Sequence, residues 1–563
     1  MKEEILKFFK GDADDSEDAL IKYSHDASLL EVRPKIILFP KDSLDVQNLV
    51  KWVNNNKSKY PELSITCRCA GTDMSGGAIG ESIILDFTRY MNKLVGGPLP
   101  MEDSSGTWMI SVEPGMFYRD FEKITLAKGL ILPCFTASKS INAMGGMYGN
   151  NSAGERTLKY GKTEDYILSA KIIFADGNEY VVKPLTKSEL NKKMAQNDFE
   201  GNVYKNIFNL IHENEDEIKE AKPNVHKNSA GYYVWNVVKE NIFDMNKLLV
   251  GSQGTLGIVT EITFKVLPDP KFTRLLVVFL RDIGLLPELV NRILNFKPQS
   301  LESYDDKTFL LVLKYIKSFA KLLGLKNFFK LIFSFGPEAM MTLQHGLPKL
   351  VLLAEFTGDT QQEADTQAKE AAQDLKSIKK IGVRLTKNAF EAQKYWTIRH
   401  EAFNLIRYHL KKMKSEPFID DVIVRPDKLP KFFPALYEIL DEYKKKMTFA
   451  VGGHSGDGNM HIYTLINPKD PDLKKMVMQV ADKVYDLVIR LGGSITAEHN
   501  DGLIRTPYLS KMYNEKIITI FKQIKGIFDS QYIFNPGKKV PTAMNGGTKE
   551  YMASHIAIEH KAK

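Results

Sequence analysis

Residues 69–78 read CAGTDMSGGA and place three glycines and three short polar side chains in ten positions between two β-like runs. A loop of this composition can direct consecutive backbone N–H groups at an anion, because glycine tolerates positive φ angles and lets the backbone approach a ligand closely. A pyrophosphate is the anion that such a loop would suit. A tight structural turn is the alternative, and this stretch alone does not decide between the two.

Two further glycine-rich stretches follow along the chain. Residues 133–154, PCFTASKSINAMGGMYGNNSAG, have too little apolar periodicity for a core element and too many small residues for an ordinary surface loop. Residues 251–259, GSQGTLGIV, form the third stretch. None of the three has the GxGxxG spacing of a dinucleotide-binding Rossmann unit, which disfavours a nicotinamide enzyme of that kind.

Strand-like and helical runs alternate around these stretches. Residues 36–41 predict a strand, residues 43–54 a helix, and residues 168–182 a hairpin around the Asp176–Gly177 turn. We therefore expect an α+β protein. The expected parts are a first domain over residues 20–268, a second over 269–500, a C-terminal segment over 501–541 and a loose tail over 542–563.

The composition is that of a folded globular protein, since 43% of the 563 residues are hydrophobic and 26% are charged. Three cysteines are too few for a disulfide framework or an iron–sulfur cluster, which favours a reducing, cytoplasmic setting. The N-terminus lacks the apolar core of a signal peptide, and no stretch reaches membrane-spanning length. The net charge of +8 is spread along the chain, so it indicates acidic ligands rather than a nucleic-acid partner.

Two of the eleven histidines, His454 and His461, lie in the glycine-rich stretch GHSGDGNMH. A second stretch, GGSITAEHNDG at 492–502, reads as a short strand running into a polar turn and contributes Glu498 and His499. Two imidazoles and a carboxylate are a typical ligand set for catalytic zinc or manganese. The spacing is not HExxH, so a zinc protease has no support. Hydrogen-bonded structural histidines are the alternative.

Taken together and in this order, the three glycine-rich stretches resemble the FAD-binding domain of the vanillyl-alcohol oxidase and para-cresol methylhydroxylase (PCMH) superfamily. Within it the chain resembles the family of D-lactate dehydrogenase, glycolate oxidase and D-2-hydroxyglutarate dehydrogenase, from about Tyr23 to Val540. The resemblance implies a PCMH-type FAD-binding domain, a ferredoxin-like α+β substrate domain and a C-terminal helical segment that returns to the first domain. The cofactor-binding residues that it implies are Gly71, Thr72, Ser75, Gly76, Gly77, Ser138, Ser140, Gly145, Gly146, Asn151, Ser152, Gly154, Gly251, Gly254, Gly257, Val259 and Asn535.

The same resemblance implies roles for the polar cluster. The metal ligands correspond to His454, His461 and Glu498, the catalytic base to His499, and the arginine that binds the substrate carboxylate to Arg399. An α-hydroxy acid can chelate a cation, which lowers the pKa of its hydroxyl. A histidine with an ordinary pKa of about 6.5 can then take the proton while the hydride leaves for the flavin. A helix-surface arginine is the alternative for Arg399.

The resemblance also bears on the flavin and the substrate. No histidine lies beside the glycine-rich stretches for a covalent bond, although Cys69 and Cys134 lie close, so we expect non-covalent FAD. Phe403 and Tyr463 depart from the residues expected of a D-2-hydroxyglutarate enzyme. We therefore predict D-lactate as substrate, ahead of glycolate and D-2-hydroxyglutarate, with a quinone, cytochrome or electron-transfer protein as acceptor. A flavin-binding electron-transfer subunit that works with a separate iron–sulfur protein, an inactive flavin-binding module and a metal-free alcohol oxidase are the alternatives.

Residues 311–335, LVLKYIKSFAKLLGLKNFFKLIFSF, carry five lysines and no acidic residue among leucines and aromatics. One interpretation is an interfacial helix on an anionic membrane, which would place the protein peripherally at the inner membrane face. The other is a lid or packing helix over the second domain.

Overall fold

The structure is a computed structural model that describes residues 1–102, 106–314, 346–409, 414–542 and 547–557, with the backbone alone at 311–314 and 401–409. Two sheets and a small third one form the first half of the chain, and one large sheet forms most of the second half. The helices of the first half are Lys2–Ile5, Glu17–Tyr23, Ser43–Asn56, Tyr118–Leu126, Met144–Asn150, Thr157–Tyr160, Lys187–Met194, Phe199–Glu213, Glu215–Ala221 and Asn246–Leu249. Those of the second half are Leu286–Leu294, Asp306–Lys314, Gln361–Leu375, Ala389–His409, Leu429–Asp441, Leu473–Arg490, Gly502–Arg505, Leu509–Met512, Glu515–Phe528 and Lys549–Ser554.

The first sheet has four strands, in the order Asp12–Asp14, Ile36–Phe39, Ile83–Asp86 and Ile65–Arg68. The last three are parallel to one another, and the first is antiparallel to its neighbour. The predicted helix is confirmed as Ser43–Asn56, which buries Val46, Leu49, Val50 and Val53 along one face. The sheet begins before residue 20, where we expect the first domain to start, because Asp12–Asp14 pairs with the strand at Ile36–Phe39.

The second sheet is antiparallel, with strands in the order Leu94–Pro100, Trp108–Val112, Ile258–Pro268, Ile167–Ile173 and Glu179–Val182, and with Leu130–Ile131 paired to Ile258–Pro268. The predicted hairpin is confirmed, because Ile167–Ile173 pairs with Glu179–Val182 around a turn in which Gly177 has a φ of +75°. The small third sheet has the order Leu185–Thr186, Ile242–Phe243 and Val238–Lys239.

The large sheet is antiparallel, with strands in the order Ile381–Leu385, Phe272–Leu280, Leu350–Gly358, Ser300–Asp305, Met447–His454, Asn459–Ile466 and Lys414–Ser415, and with Val422–Ile423 paired to Asn459–Ile466. Its first four strands and the two helices Leu286–Leu294 and Gln361–Leu375 follow a β-α-β-β-α-β order along the chain. Numbered along the chain, these strands lie in the spatial order 4-1-3-2, which is the ferredoxin-like arrangement that the resemblance implies. The remaining strands extend the sheet and carry the histidine cluster.

The C-terminal segment returns to the first half of the chain. Helix Glu515–Phe528 packs on helix Phe199–Glu213, and the ring of Phe528 lies 5.4 Å from that of Phe174. Phe534 then pairs with Ile65 at the edge of the first sheet. The α+β architecture is confirmed.

Residues 315–335 of the basic stretch lie outside the described residues, and 311–314 end the helix Asp306–Lys314. The membrane-contact and lid interpretations both stay predictions. Among the residues that the structure describes, no helix combines the length and apolar character needed to span a bilayer.

Candidate active site

One cleft of about 610 Å³ brings the glycine-rich stretches and the histidine cluster together. The glycine-rich stretches form one wall, and residues from the large sheet and its neighbouring segments form the other. The predicted residues that line the cleft are Gly71, Thr72, Gly77, Ser138, Gly145, Gly146, Ser152, Gly154, Gly254, Gly257, Val259, Arg399, His454, His461, Glu498 and His499. Two groups of residues separated by at least 140 positions in the sequence, from Val259 to Arg399, therefore share a single cavity.

Six predicted cofactor residues are not among those that line this cleft: Ser75, Gly76, Ser140, Asn151, Gly251 and Asn535. Asn535 Nδ2 donates to the carbonyl oxygens of Gly77 and Gln253, at 2.9 and 2.7 Å, so it ties the first stretch to the third. The Asn151 side chain bonds both the backbone N–H and the carboxylate of Glu164. The side chains of Asn535 and Asn151 therefore hold the loops together.

The second glycine-rich stretch is packed on one side and open on the other. A Cβ at Gly145 would lie 2.6 Å from Pro114 Cβ and 3.1 Å from Cys69 Sγ, whereas a Cβ at Gly146 would meet no atom within 4 Å. A side chain at Gly146 would therefore project into the cleft, and its absence leaves bare backbone facing the cavity. A cleft lined by all three stretches, with open backbone at Gly146, fits FAD, which these stretches would hold.

Two observations concern attachment of a flavin. Cys69 lines the cleft and Cys134 is buried away from it, and burial raises the pKa of both thiols, that of Cys134 to about 12. A thiol with a raised pKa is a poor nucleophile. The sequence places no histidine beside the glycine-rich stretches, but the fold brings one there: His400, whose Nε2 lies 3.0 Å from Glu155 Oε2.

The histidine cluster is built on a hairpin of the large sheet. Strand Met447–His454 pairs with strand Asn459–Ile466 so that His461 faces Gly452. Residues two apart on a strand share a face, so the register puts both imidazoles on the same side of the hairpin. His454 Nε2 lies 3.2 Å from His461 Nε2 and 3.4 Å from Glu498 Oε1. These ligand atoms all lie within 4.8 Å of one another, a geometry that could hold a divalent cation.

Two carboxylates outside the cluster orient its rings. Glu302 Oε1 lies 2.5 Å from His454 Nδ1, and Asp420 Oδ1 lies 3.1 Å from His461 Nδ1. The other oxygen of Asp420 lies 3.3 Å from His499 Nδ1. A carboxylate on one ring nitrogen, with the other nitrogen directed at the centre, is the usual arrangement around a metal-binding histidine. The residues present therefore fit a metal.

The same carboxylates set the charge of the cluster in the absence of a cation. Burial lowers the pKa of His454, but Glu302 and Glu498 together outweigh it and the pKa rises to about 9. Burial likewise lowers the pKa of His499, whereas Asp421 and Asp420 together raise it to about 9. A divalent cation beside these rings would add positive charge and lower both pKa values, which a base at His499 requires.

Asp421 explains how Glu498 and His499 both reach the cleft. Its Oδ2 accepts hydrogen bonds from Thr496 Oγ1 and from three successive backbone N–H groups, those of Ala497, Glu498 and His499, at 2.7 to 2.9 Å. The prediction of a strand here is wrong, because these N–H groups bind a carboxylate instead of a neighbouring strand. The segment wraps around Asp421, so consecutive side chains need not alternate between opposite faces.

Arg399 is held in place beside the cluster. Its Nε and Nη2 each lie 3.1 Å from Glu302 Oε2, and its Nη1 donates to the Tyr463 hydroxyl at 3.2 Å. The side chain is buried on the cleft wall rather than spread over the surface of its helix. Glu302 thus contacts both the candidate substrate-binding arginine and a candidate metal ligand.

Sequence reasoning missed four of these charged residues, Lys227, Glu302, Asp420 and Asp421. The Lys227 ammonium is buried, contacts Glu498 Oε1 and lies 3.0 Å from Asp457 Oδ2. Asp420 and Asp421 follow the buried apolar pair at 418–419, and adjacent acids after an apolar run are a signal that could have been used. Nothing in the sequence around Lys227 distinguishes it from the many surface lysines.

Comparisons with known proteins agree with this geometry. Residues 34–183 match the FAD binding domain model, and residues 269–539 match the model of the C-terminal domain of FAD linked oxidases. Among solved structures, p-cresol methylhydroxylase with bound substrate superposes with a TM-score of 0.61 over 95% of this chain and 94% of its own, at 16% identity. That likeness shows the fold.

Several curated relatives are similar over nearly the whole chain. A D-2-hydroxyglutarate dehydrogenase of Pseudomonas putida is 26% identical over 91% of this chain and 49% of its own length. The chain thus spans about half the length of the first relatives it matches. The glycolate oxidase subunit GlcD of Bacillus subtilis is 26% identical over 93% of both chains, and a D-lactate dehydrogenase of Anaerostipes hadrus is 25% identical over 92% of both. The chain therefore combines a PCMH-type fold with the FAD binding domain and the C-terminal domain of the FAD linked oxidases.

Proposed function

We propose that this protein oxidises a small D-2-hydroxy acid, D-lactate first, to the 2-oxo acid, using non-covalent FAD and a divalent cation, zinc or manganese. The observation that carries the proposal is the shared cleft: three metal-type ligands, a further imidazole and a buried arginine face the same cavity as the glycine-rich stretches. The acceptor that reoxidises the flavin would be a quinone, a cytochrome or an electron-transfer protein.

Each polar residue has a role that its surroundings support. His454, His461 and Glu498 would hold the cation, and Arg399, which lines the cleft, would bind the substrate carboxylate. When bound, the cation supplies a lower pKa for the substrate hydroxyl, and FAD supplies the acceptor for the hydride from C2. His499 takes the hydroxyl proton, and Asp420 beside its Nδ1 stabilises the imidazolium that forms.

The surroundings of Arg399 favour a short substrate. Tyr463 bonds one arm of the guanidinium, and its ring lies 6.1 Å from that of His461, so an aromatic side chain occupies the space beside the arginine. A monocarboxylate such as D-lactate needs one cationic partner, whereas D-2-hydroxyglutarate brings a second carboxylate that would need another. Glycolate, named in the glycolate oxidase relative, is the closest competitor.

The test is anaerobic reduction of the bound flavin. The purified protein, loaded with FAD and Mn²⁺ or Zn²⁺, is mixed with D-lactate, L-lactate, glycolate and D-2-hydroxyglutarate, and flavin absorbance is followed. We expect rapid bleaching by D-lactate and none by L-lactate. In His499→Gln the absorbance of bound FAD should be retained and the bleaching rate should fall by roughly 10²-fold or more.

Other outcomes have defined meanings. Fastest bleaching by D-2-hydroxyglutarate would contradict the substrate proposed here but keep the reaction class. Bound FAD that no hydroxy acid reduces would favour the alternative of an electron-transfer subunit. One relative, the glycolate oxidase subunit GlcD, is itself a subunit of an oxidase. Equal rates before and after chelation of the metal would refute the role of the cation.

A further inference from the structure

All three glycine-rich stretches are hydrogen-bonded to the short segment 498–504, which carries Glu498 and His499. The first stretch contributes the carbonyl oxygen of Ser75, which accepts from the backbone N–H groups of Leu503 and Ile504 at 2.9 and 3.1 Å. The third contributes Gln253, whose Oε1 accepts from the Gly502 N–H at 2.9 Å. The walls of the cleft are therefore joined by direct bonds and not only by packing.

Asn500 joins this segment to both the second and the third glycine-rich stretches. Its Nδ2 donates to the carbonyl oxygen of Asn150 in the second stretch at 3.2 Å and to that of Gly251 in the third at 2.8 Å. Asn150 Nδ2 donates in return to the carbonyl oxygen of Glu498 at 2.9 Å. Asn500 is fully buried and has a φ of +69°, a left-handed conformation that asparagine tolerates better than most residues.

We propose that Asn500 is a positioning residue that couples the binding of FAD to the binding of the divalent cation, an inference that rests on the proposed function. The two glycine-rich stretches that Asn500 joins lose conformational freedom when a ligand occupies the cleft, because glycine backbone has more freedom to lose than other residues. Ordering them also fixes the amide of Asn500 and the carbonyl of Glu498, which belong to the segment holding a metal ligand. The second ligand to bind then meets a segment that is already ordered.

Thermodynamic linkage makes the proposal quantitative. The factor by which FAD tightens the binding of Mn²⁺ must equal the factor by which Mn²⁺ tightens the binding of FAD. Couplings between sites in one protein commonly amount to about 5- to 150-fold. We expect a factor of roughly 10-fold for this chain, in both directions.

The experiment measures four dissociation constants on the full chain: Mn²⁺ with and without FAD by calorimetry, and FAD with and without Mn²⁺ by flavin fluorescence. The test variant is Asn500→Gly, which removes the amide and still accepts the positive φ. The matched control is Asn54→Ala, which loses a side-chain amide bond to the carbonyl of Ala175 within the first half of the chain, where Asn500→Gly loses two such bonds. We expect the coupling factor to fall below about 3-fold in Asn500→Gly and to stay unchanged in Asn54→Ala.

A wild-type protein that binds Mn²⁺ equally well with and without FAD would overturn the coupling, whatever the variant does. So would an Asn500→Gly protein that keeps the wild-type factor. If that wild-type protein is still bleached by D-lactate, the proposed function stands and only the coupling fails. A wild-type protein that binds no divalent cation would overturn both.

Discussion

Glu302→Gln tests whether one carboxylate orients both His454, a candidate metal ligand, and Arg399, the candidate substrate-binding residue. Glu302 is 1% exposed and makes two kinds of contact, His454 Nδ1 at 2.5 Å and the Arg399 guanidinium at 3.1 Å. Glutamine keeps the shape but has one acceptor oxygen and one donor amide, so one of the two partners must face another donor. The substitution therefore removes an orienting bond without opening a cavity.

The magnitude follows from the role of the carboxylate. Loss of a hydrogen-bonded partner of a metal-binding histidine typically costs about 10- to 100-fold in metal affinity, which is about 1.4 to 2.7 kcal/mol. Arg399 also loses a buried counter-charge, and breaking a buried ion pair costs about 3 to 5 kcal/mol of folding stability. We expect both effects in the same variant.

The assay is titration of the FAD-loaded protein with Mn²⁺, together with urea unfolding of the same samples. Asp305→Asn is the matched control, because Asp305 is a buried carboxylate on the same strand whose partners are Thr308, Tyr437 and the Val451 N–H. We expect that control to lose stability and to keep its metal affinity within about 2-fold, because none of those partners belongs to the candidate metal site. Wild-type metal affinity in Glu302→Gln, or an equal loss in Asp305→Asn, would refute the reasoning.

Three further predictions test other parts of the structure. Lys227→Met breaks two buried ion pairs and should lower the free energy of unfolding of the metal-free protein by about 3 to 5 kcal/mol, with saturating Mn²⁺ recovering part of the loss in a urea titration. Gly146→Val puts a side chain into the cleft and should abolish FAD binding measured by absorbance, whereas Gly526→Val, at a site equally open on a C-terminal helix, should retain it. Burial and Glu155 raise the pKa of Glu355 from 4.5 to about 7, so the free energy of unfolding should fall by about 3 kcal/mol as pH rises from about 4.5 to 7. Glu355→Gln should lack that fall in urea unfolding at pH 5 and 8, and an unchanged pH dependence would contradict the assignment.

The sequence was sufficient for elements with strong local signals. The Asp176–Gly177 turn predicts its hairpin because glycine supplies the positive φ that the turn requires, and the helix at 43–54 follows from its apolar spacing. The gathering of Glu498 with the two hairpin histidines is a long-range contact, which the ligand-type residues of the two stretches and the family resemblance indicated but no local pattern could.

The charged residues around the cluster could not be predicted from the residues next to them in the sequence. Lysine is almost never fully buried unless it is paired, so the sequence favoured a surface position for Lys227. Its partners, Asp457 and Glu498, lie more than 200 residues away. The short strand expected within 492–502 does not form for a similar reason: the carboxylate that accepts the N–H groups of residues 497–499 comes from Asp421, on a separate segment.

The wrapping of residues 496–499 around Asp421 has a consequence for how such an enzyme can change. Because Asp421 accepts hydrogen bonds from backbone N–H groups at positions 498 and 499, these bonds do not depend on which side chains occupy the two positions. Side chains at these two positions can therefore be replaced while the backbone bonds to Asp421 are retained. The vulnerable point is Asp421 itself, since a single change there would remove four hydrogen bonds that hold residues 496–499.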